Sequence, residues 1–130
     1  MMASITEEEF LEAVKCKLSE KNTIQGPIGC KVWQGGSDGR YGEVKMLAPV
    51  HPPARKVFRV HRLAMMVKLN TFELSGGHVS HLCHNKYCIN EDHLSLEPQY
   101  VNNQREFCRS NIKDGKRSCS HHNPFPDCIL

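Results

Sequence analysis

The sequence predicts a small α+β domain held together by zinc more than by a large apolar core. Its parts are an antiparallel β-sheet and a strand–loop–strand–helix core. Three observations predict this. The chain has 130 residues, one domain's worth. Hydrophobic residues make up 39% of it and aromatics 7%, a thin supply for a core, so a domain of this size needs a staple. Seven cysteines and eight histidines offer one. The opening MMASITEEEF lacks the apolar run of a signal peptide, and no stretch approaches the ~20 apolar residues of a membrane span. An intracellular chain with reduced thiols and no membrane contact is therefore expected. An odd cysteine count mixed with histidine then favours zinc over disulfides. Structural zinc supplies roughly 10–16 kcal/mol of apparent binding energy, against a typical domain stability of ~5–15 kcal/mol.

Within this single domain the expected divisions are an N-terminal helix (1–24), a basic sheet with a helix (25–70), a core carrying a first zinc site (71–108) and a zinc-binding tail (109–130). Thr6 with Glu9 forms a capping box, and Ile5 with Phe10 forms the staple around it. Phe10, Leu11, Val14 and Leu18 recur at helical spacing, which predicts a helix over 7–20 with Cys16 as a small buried residue. Residues 31–34 read as a short strand, 35–39 as a turn, 40–47 as a second strand and 56–60 as a third. Leu63, Met66 and Val67 place a helix over 61–69. Residues 78–82 and 94–96 read as strands flanking a loop, and Pro98 opens a helix over 98–108.

Charge is uneven. Net charge is +3, while Glu7, Glu8, Glu9, Glu12 and Glu20 gather the acids near the N-terminus. The remainder is basic, densest at Arg55, Lys56, Arg59, His61 and Arg62, which suits a phosphate backbone as well as a solvated surface. Arg40, Lys45, Arg55, Lys56 and Arg59 are the candidate DNA contacts, on strands that can enter a major groove.

Cys83, Cys88 and His93 stand at metal-ligand spacing in a polar loop. Tetrahedral structural zinc takes four ligands. Cys30, just before a strand, is the candidate fourth, with Cys16 and His84 competing. Cys108, Cys119, His121 and Cys128 form a second set in a tail with few apolar residues, where His122 fits the spacing as well as His121.

His81 and His84 are left over from the first set. An imidazole titrating near pH ~6.5 can take a proton from water. Asn102, on the last helix, offers an oxygen that magnesium accepts. Arg55 or Arg59 could offset charge on a phosphate.

The stretch SHLCHN with Cys88, Asp92-His93-Leu94, Asn102 and Cys108 resembles the His-Cys box homing endonucleases, within the His-Me finger (ββα-metal) nucleases. The likeness extends to Cys119-x-His121 and, more loosely, to Cys30 and Cys128, covering residues 30 to 128. It implies a ββα-metal core and two structural zinc sites, Cys30, Cys83, Cys88 and His93 in the first, Cys108, Cys119, His121 and Cys128 in the second. It also implies His81 as general base, Asn102 as the ligand of a catalytic magnesium, and Arg55 beside the scissile phosphate. The substrate would be double-stranded DNA, read by the sheet in the major groove, and the location nuclear in a eukaryote. The spacings Cys108 to Cys119 and His121 to Cys128 are longer than in the family. The family's homodimer rests on a C-terminal tail that is longer than the residues after Cys128, so the likeness leaves the homodimer open. The first reading is a zinc-stabilised, magnesium-dependent DNA endonuclease. Its rivals are a catalytically silent DNA-binding module, in the manner of the Smad DNA-binding domain, and a zinc-stabilised protein-interaction domain. Retention of both His81 and Asn102 favours the enzyme.

Overall fold

The computed structural model describes residues 5–19, 22–74, 76–110, 125–126 and 128, and the side chains among them except those of 106–110. Among the described residues the fold is α+β, with three helices and three antiparallel two-stranded ribbons. In chain order it runs α1 (Glu7–Lys17), β1 (Thr23–Gln25), β2 (Lys31–Trp33), β3 (Glu43–Ala48), β4 (Ala54–Arg59), α2 (Val60–Leu69), β5 (His78–His81), β6 (Leu94–Glu97) and α3 (Gln99–Ser110). The pairs are β1 with β2, β3 with β4 and β5 with β6, so the expected sheet is three separate ribbons. Among the described residues no helix is long and apolar enough to cross a membrane.

The capping box forms as expected: the Thr6 hydroxyl accepts from the Glu9 amide at 3.0 Å, and the Thr6 amide donates to the Glu9 carboxylate at 3.1 Å. Helix α1 then buries Phe10, Leu11 and Val14. Cys16 is exposed rather than buried, because it stands off this stripe. Phe10 meets Phe58 and Phe72 edge to face, each at 5.3 Å between ring centroids. Helix α2 fills the centre with Leu63, Met65 and Met66, against Trp33, Val79 and Leu94. It ends at Asn70, whose left-handed conformation (φ 53°) caps the last turn.

Two differences from the sequence reading have local causes. Strand β3 starts at Glu43, not Arg40, because the Asp38 carboxylate accepts from the amides of Arg40 (2.8 Å) and Tyr41 (2.7 Å) and holds both in a turn. The ribbon β1–β2 was not expected from the sequence: β1 has three residues and no apolar alternation to mark it.

The register of β3 with β4 sorts the basic residues. Glu43 faces Arg59, Lys45 faces Val57 and Leu47 faces Arg55, so Lys45, Arg55 and Arg59 share one face. The other face carries Met46, Val44 and Phe58 toward the core, with the exposed Lys56 opposite Met46. The basic run of the sequence divides at the strand–helix junction. His61 is buried, and Arg62 turns back to donate to the Gly77 carbonyl at 3.0 Å.

A candidate zinc centre beside a histidine pocket

The loop between β5 and β6 is shaped by its own polar groups. The Asn85 side chain accepts from the Tyr87 amide at 3.0 Å, and His84 takes φ 61°. Asn90 caps a short 3-10 turn through the Asp92 amide (3.0 Å) and donates to the Gly29 carbonyl (2.7 Å). Backbone bonds from Trp33 to Tyr87 (2.8 Å) and from Ile89 to Lys31 (2.7 Å) lash β2 to this loop. Cys30, which precedes β2, is thereby delivered to the loop's own cysteines.

Cys30, Cys83, Cys88 and His93 converge, all buried, with their ligand atoms within 4.8 Å of one another. His93 Nδ1 lies 3.6 Å from Cys30 Sγ and 3.5 Å from Cys88 Sγ. Zinc bonds of about 2.3 Å to sulfur and about 2.0–2.1 Å to nitrogen, spread tetrahedrally, set those two atoms about 3.6 Å apart. The donor set therefore fits zinc, and neither Cys16 nor His84 belongs to it. Thiol chemistry supports the same reading. The Cys83 thiol donates to Cys88 and brings it down to about 5, while the same bond, then burial, pushes Cys83 up. Burial raises Cys30. Three crowded thiols cannot all ionise alone, and a bound divalent cation is what would hold them as thiolates.

Next to this centre lies a pocket of about 40 Å³ lined by Tyr41, Ser80, His81, Lys86 and Asn102 among others. That space is enough for a water or an ion. Asn102 donates through Nδ2 to the buried Ser80 hydroxyl at 2.8 Å, which leaves its Oδ1 as the atom for a cation. His81 Nε2 and His61 Nδ1 are buried without a hydrogen-bond partner among the described residues. The His61 and His81 rings are 4.7 Å apart, and Tyr41 stacks on His61 at 5.1 Å. Burial pushes the His81 imidazole down to about 4, with Lys86 and His84 adding to the effect, so it is neutral at pH 7.

Behind the pocket, Arg105 makes a bidentate pair with Glu97, its Nε and Nη2 at 2.5 and 2.9 Å from the two carboxylate oxygens, both side chains buried. It also donates to the Pro126 carbonyl (2.6 Å) and to Cys128 Sγ (3.4 Å), which ties these two residues to α3. Burial works against the Arg105 charge, but Glu97 and Cys128 outweigh it and raise its pKa.

The sequence-derived residues thus divide. The first zinc set and the pair His81 and Asn102 come together. Arg55 sits on the exposed ribbon face, reaching the Lys45 carbonyl at 3.5 Å, while Arg59 lies at the junction with α2 and over the Tyr41 ring. Arg40 is exposed in the turn before β3. Of the second zinc set, Cys128 is buried against Arg105, only the backbone of Cys108 is described, and Cys119 and His121 lie outside the described residues. Tyr41, His61, Lys86 and Arg105 were not singled out for the site from sequence. Arg105 had one signal: it follows the buried Val101 by four residues, a charge on the buried face of a helix.

A compact domain with a buried Cys3His centre beside a histidine pocket is a zinc-stapled module. Residues 28–130 match the family model described as the zinc-binding loop region of homing endonuclease, and the chain belongs to that family. No curated protein and no solved structure matches the chain.

Proposed function

We propose that this protein is a zinc-stabilised, magnesium-dependent endonuclease that hydrolyses phosphodiester bonds of double-stranded DNA, built on a His-Me finger core. The observation that carries the reading is the shared pocket of His81 and Asn102. A base and a cation ligand there stand on adjoining elements, β5 and α3, beside the Cys3His centre.

In this reading His81 is the general base. It is neutral, its Nε2 is buried and unpartnered among the described residues, and the pocket beside it has room for one attacking water. Phosphodiester anion entering the pocket favours the imidazolium that forms. Asn102 would hold the magnesium through Oδ1, with its amide fixed by Ser80. Magnesium, when bound, would supply Lewis-acid stabilisation of charge on the phosphate and leaving oxygen. Lys45, Arg55 and Arg59 share the ribbon face that would lie against DNA, with Arg40 in the turn before it, while Lys56 stands on the opposite face. Arg55 is carried over as the arginine of the scissile phosphate, and Arg59 is the one beside Tyr41. The second zinc would be held by Cys108, Cys119, His121 and Cys128. A homodimer and a nuclear location belong to the proposal through the substrate and the family.

The test is cleavage of supercoiled plasmid by the zinc-loaded chain, with and without magnesium, beside His81→Ala. The expected result is magnesium-dependent nicking or linearisation that falls by about 10²–10⁴ in the variant. A folded, zinc-replete protein that shifts DNA without cutting it in any sequence context would leave a binding module instead.

A further inference from the structure

We propose that Lys86 and Arg59, spaced by the ring of Tyr41, form a phosphate-recognition subsite at the mouth of the His81 pocket, with a DNA phosphodiester as the group it takes. The proposal rests on the nuclease reading and adds Lys86 and Tyr41 to it.

The Arg59 guanidinium carbon lies 4.4 Å from the centroid of Tyr41, and the Lys86 ammonium 5.3 Å. Both are within cation–π range, so one ring places two positive groups from different parts of the chain. Neither part is loose. Asp38 accepts from the Tyr41 amide, and the Asp38 amide donates back to the Tyr41 carbonyl at 3.1 Å. The next residue, Gly42, is pressed so close to Trp33 and Val60 that a Cβ there would stand 2.4 and 2.7 Å from their side chains. Lys86 sits between Asn85, which shapes the loop, and the zinc-centre residue Cys88.

Charge balance gives the arrangement its direction. Arg59 has Asp38 at 4.0 Å, but Lys86 has no carboxylate within 4.0 Å among the described residues. Among those residues the pocket lining holds no carboxylate, and the one other permanent cation there, Arg105, is committed to Glu97. Lys86 is thus a half-buried positive charge facing a small polar pocket that also holds His81 and Asn102. The missing partner is an anion, and the polar lining of the pocket suits phosphate oxygens. Arg59 belongs to the same ribbon face as Lys45 and Arg55, so a strand lying along that face leads its backbone to Lys86. The subsite reads backbone and carries no sequence preference.

The experiment uses the zinc-loaded full chain and the dinucleotide thymidylyl-(3′→5′)-thymidine, one phosphodiester with no duplex, followed by NMR. The expected result is saturable shifts of the His81 and Tyr41 ring signals. Affinity should fall tenfold or more in Lys86→Ala with zinc content unchanged, and should recover in Lys86→Arg. Plasmid cleavage by Lys86→Ala should fall in the same proportion. Dinucleotide binding that is as tight in Lys86→Ala as in the parent, or shifts confined to β3 and β4, would overturn the subsite and leave the nuclease reading intact. Lys86-dependent binding by a protein that never cuts DNA would keep the subsite and sink the nuclease.

Discussion

The imidazoles of His61 and His81 lie 4.7 Å apart and tilted by 42°, one at the start of α2 and the other at the end of β5. Burial, then the nearby His81, Arg59 and Arg62, pushes His61 down to about 2. In the unfolded chain it titrates near pH ~6.5. Below that pH the unfolded state binds a proton that the folded state refuses, so stability falls as pH drops from about 6.5 toward 2, by up to ~1.4 kcal/mol per unit. Above pH ~6.5 this contribution is constant. Urea unfolding of the zinc-saturated protein between pH 5 and 7 should show the slope, and His61→Phe should reduce it by about one proton. Equal slopes would mean that His61 is not held neutral.

The zinc centre should decide whether the chain folds at all. Cys83→Ser, or chelation of the metal, should abolish the near-UV circular dichroism of the native state, because ~10–16 kcal/mol of apparent binding energy exceeds what a small core holds in reserve. Cys16→Ser, on an exposed helix position, should change stability by no more than about 0.5 kcal/mol.

Arg105→Ala should cost about 3–5 kcal/mol in chemical denaturation, since it strands Glu97 as a buried charge. Replacing both residues by apolar ones of similar volume should recover most of that loss. Recovery would show that the cost lies in the unpaired carboxylate rather than in the volume of the side chain.

Gly42→Ala should cost about 1–3 kcal/mol, because the new methyl meets the Trp33 ring and Val60 in a packed region. Trp33 is the single tryptophan, so its fluorescence should report the displacement directly.

On the proposed DNA face, Lys45→Gln, Arg55→Gln and Arg59→Gln should each make the fall of log K with log salt shallower, by about 0.9 for every phosphate no longer neutralised. Lys15→Gln should leave it unchanged: Lys15 is on α1 and already pairs with Glu12 at 3.0 Å. Equal effects from all four would place the DNA elsewhere.

Much of this was legible in the residues. The capping box at Thr6 and Glu9, the periodic stripe of α1 and the ligand spacing at 83, 88 and 93 are local signals that survive without knowledge of the fold. Cys30 is reached from sequence by needing a fourth ligand and by a loose family likeness, and the structure supplies the reason in the backbone bonds between β2 and the loop. What stayed hidden depends on contacts across the chain. His61 looked like one more basic surface residue, but it turns inward where strand becomes helix. Cys16 looked apolar enough to bury but lies off the stripe. Tyr41 and Lys86 are ordinary residues until the turn before β3 and the loop after β5 set them over one another.

Cys30 and His93 meet across 63 positions of sequence. The other two residues of the set, Cys83 and Cys88, are near neighbours of His93 in the chain, so Cys30 is the one member that comes from far away in sequence. Closing the long loop then costs only a logarithmic amount of chain entropy. Everything between, the basic ribbon and α2 with His61 included, is enclosed by that closure. The contact of Cys30 with His93 is therefore also what brings together the two ends of the segment that holds the ribbon and α2.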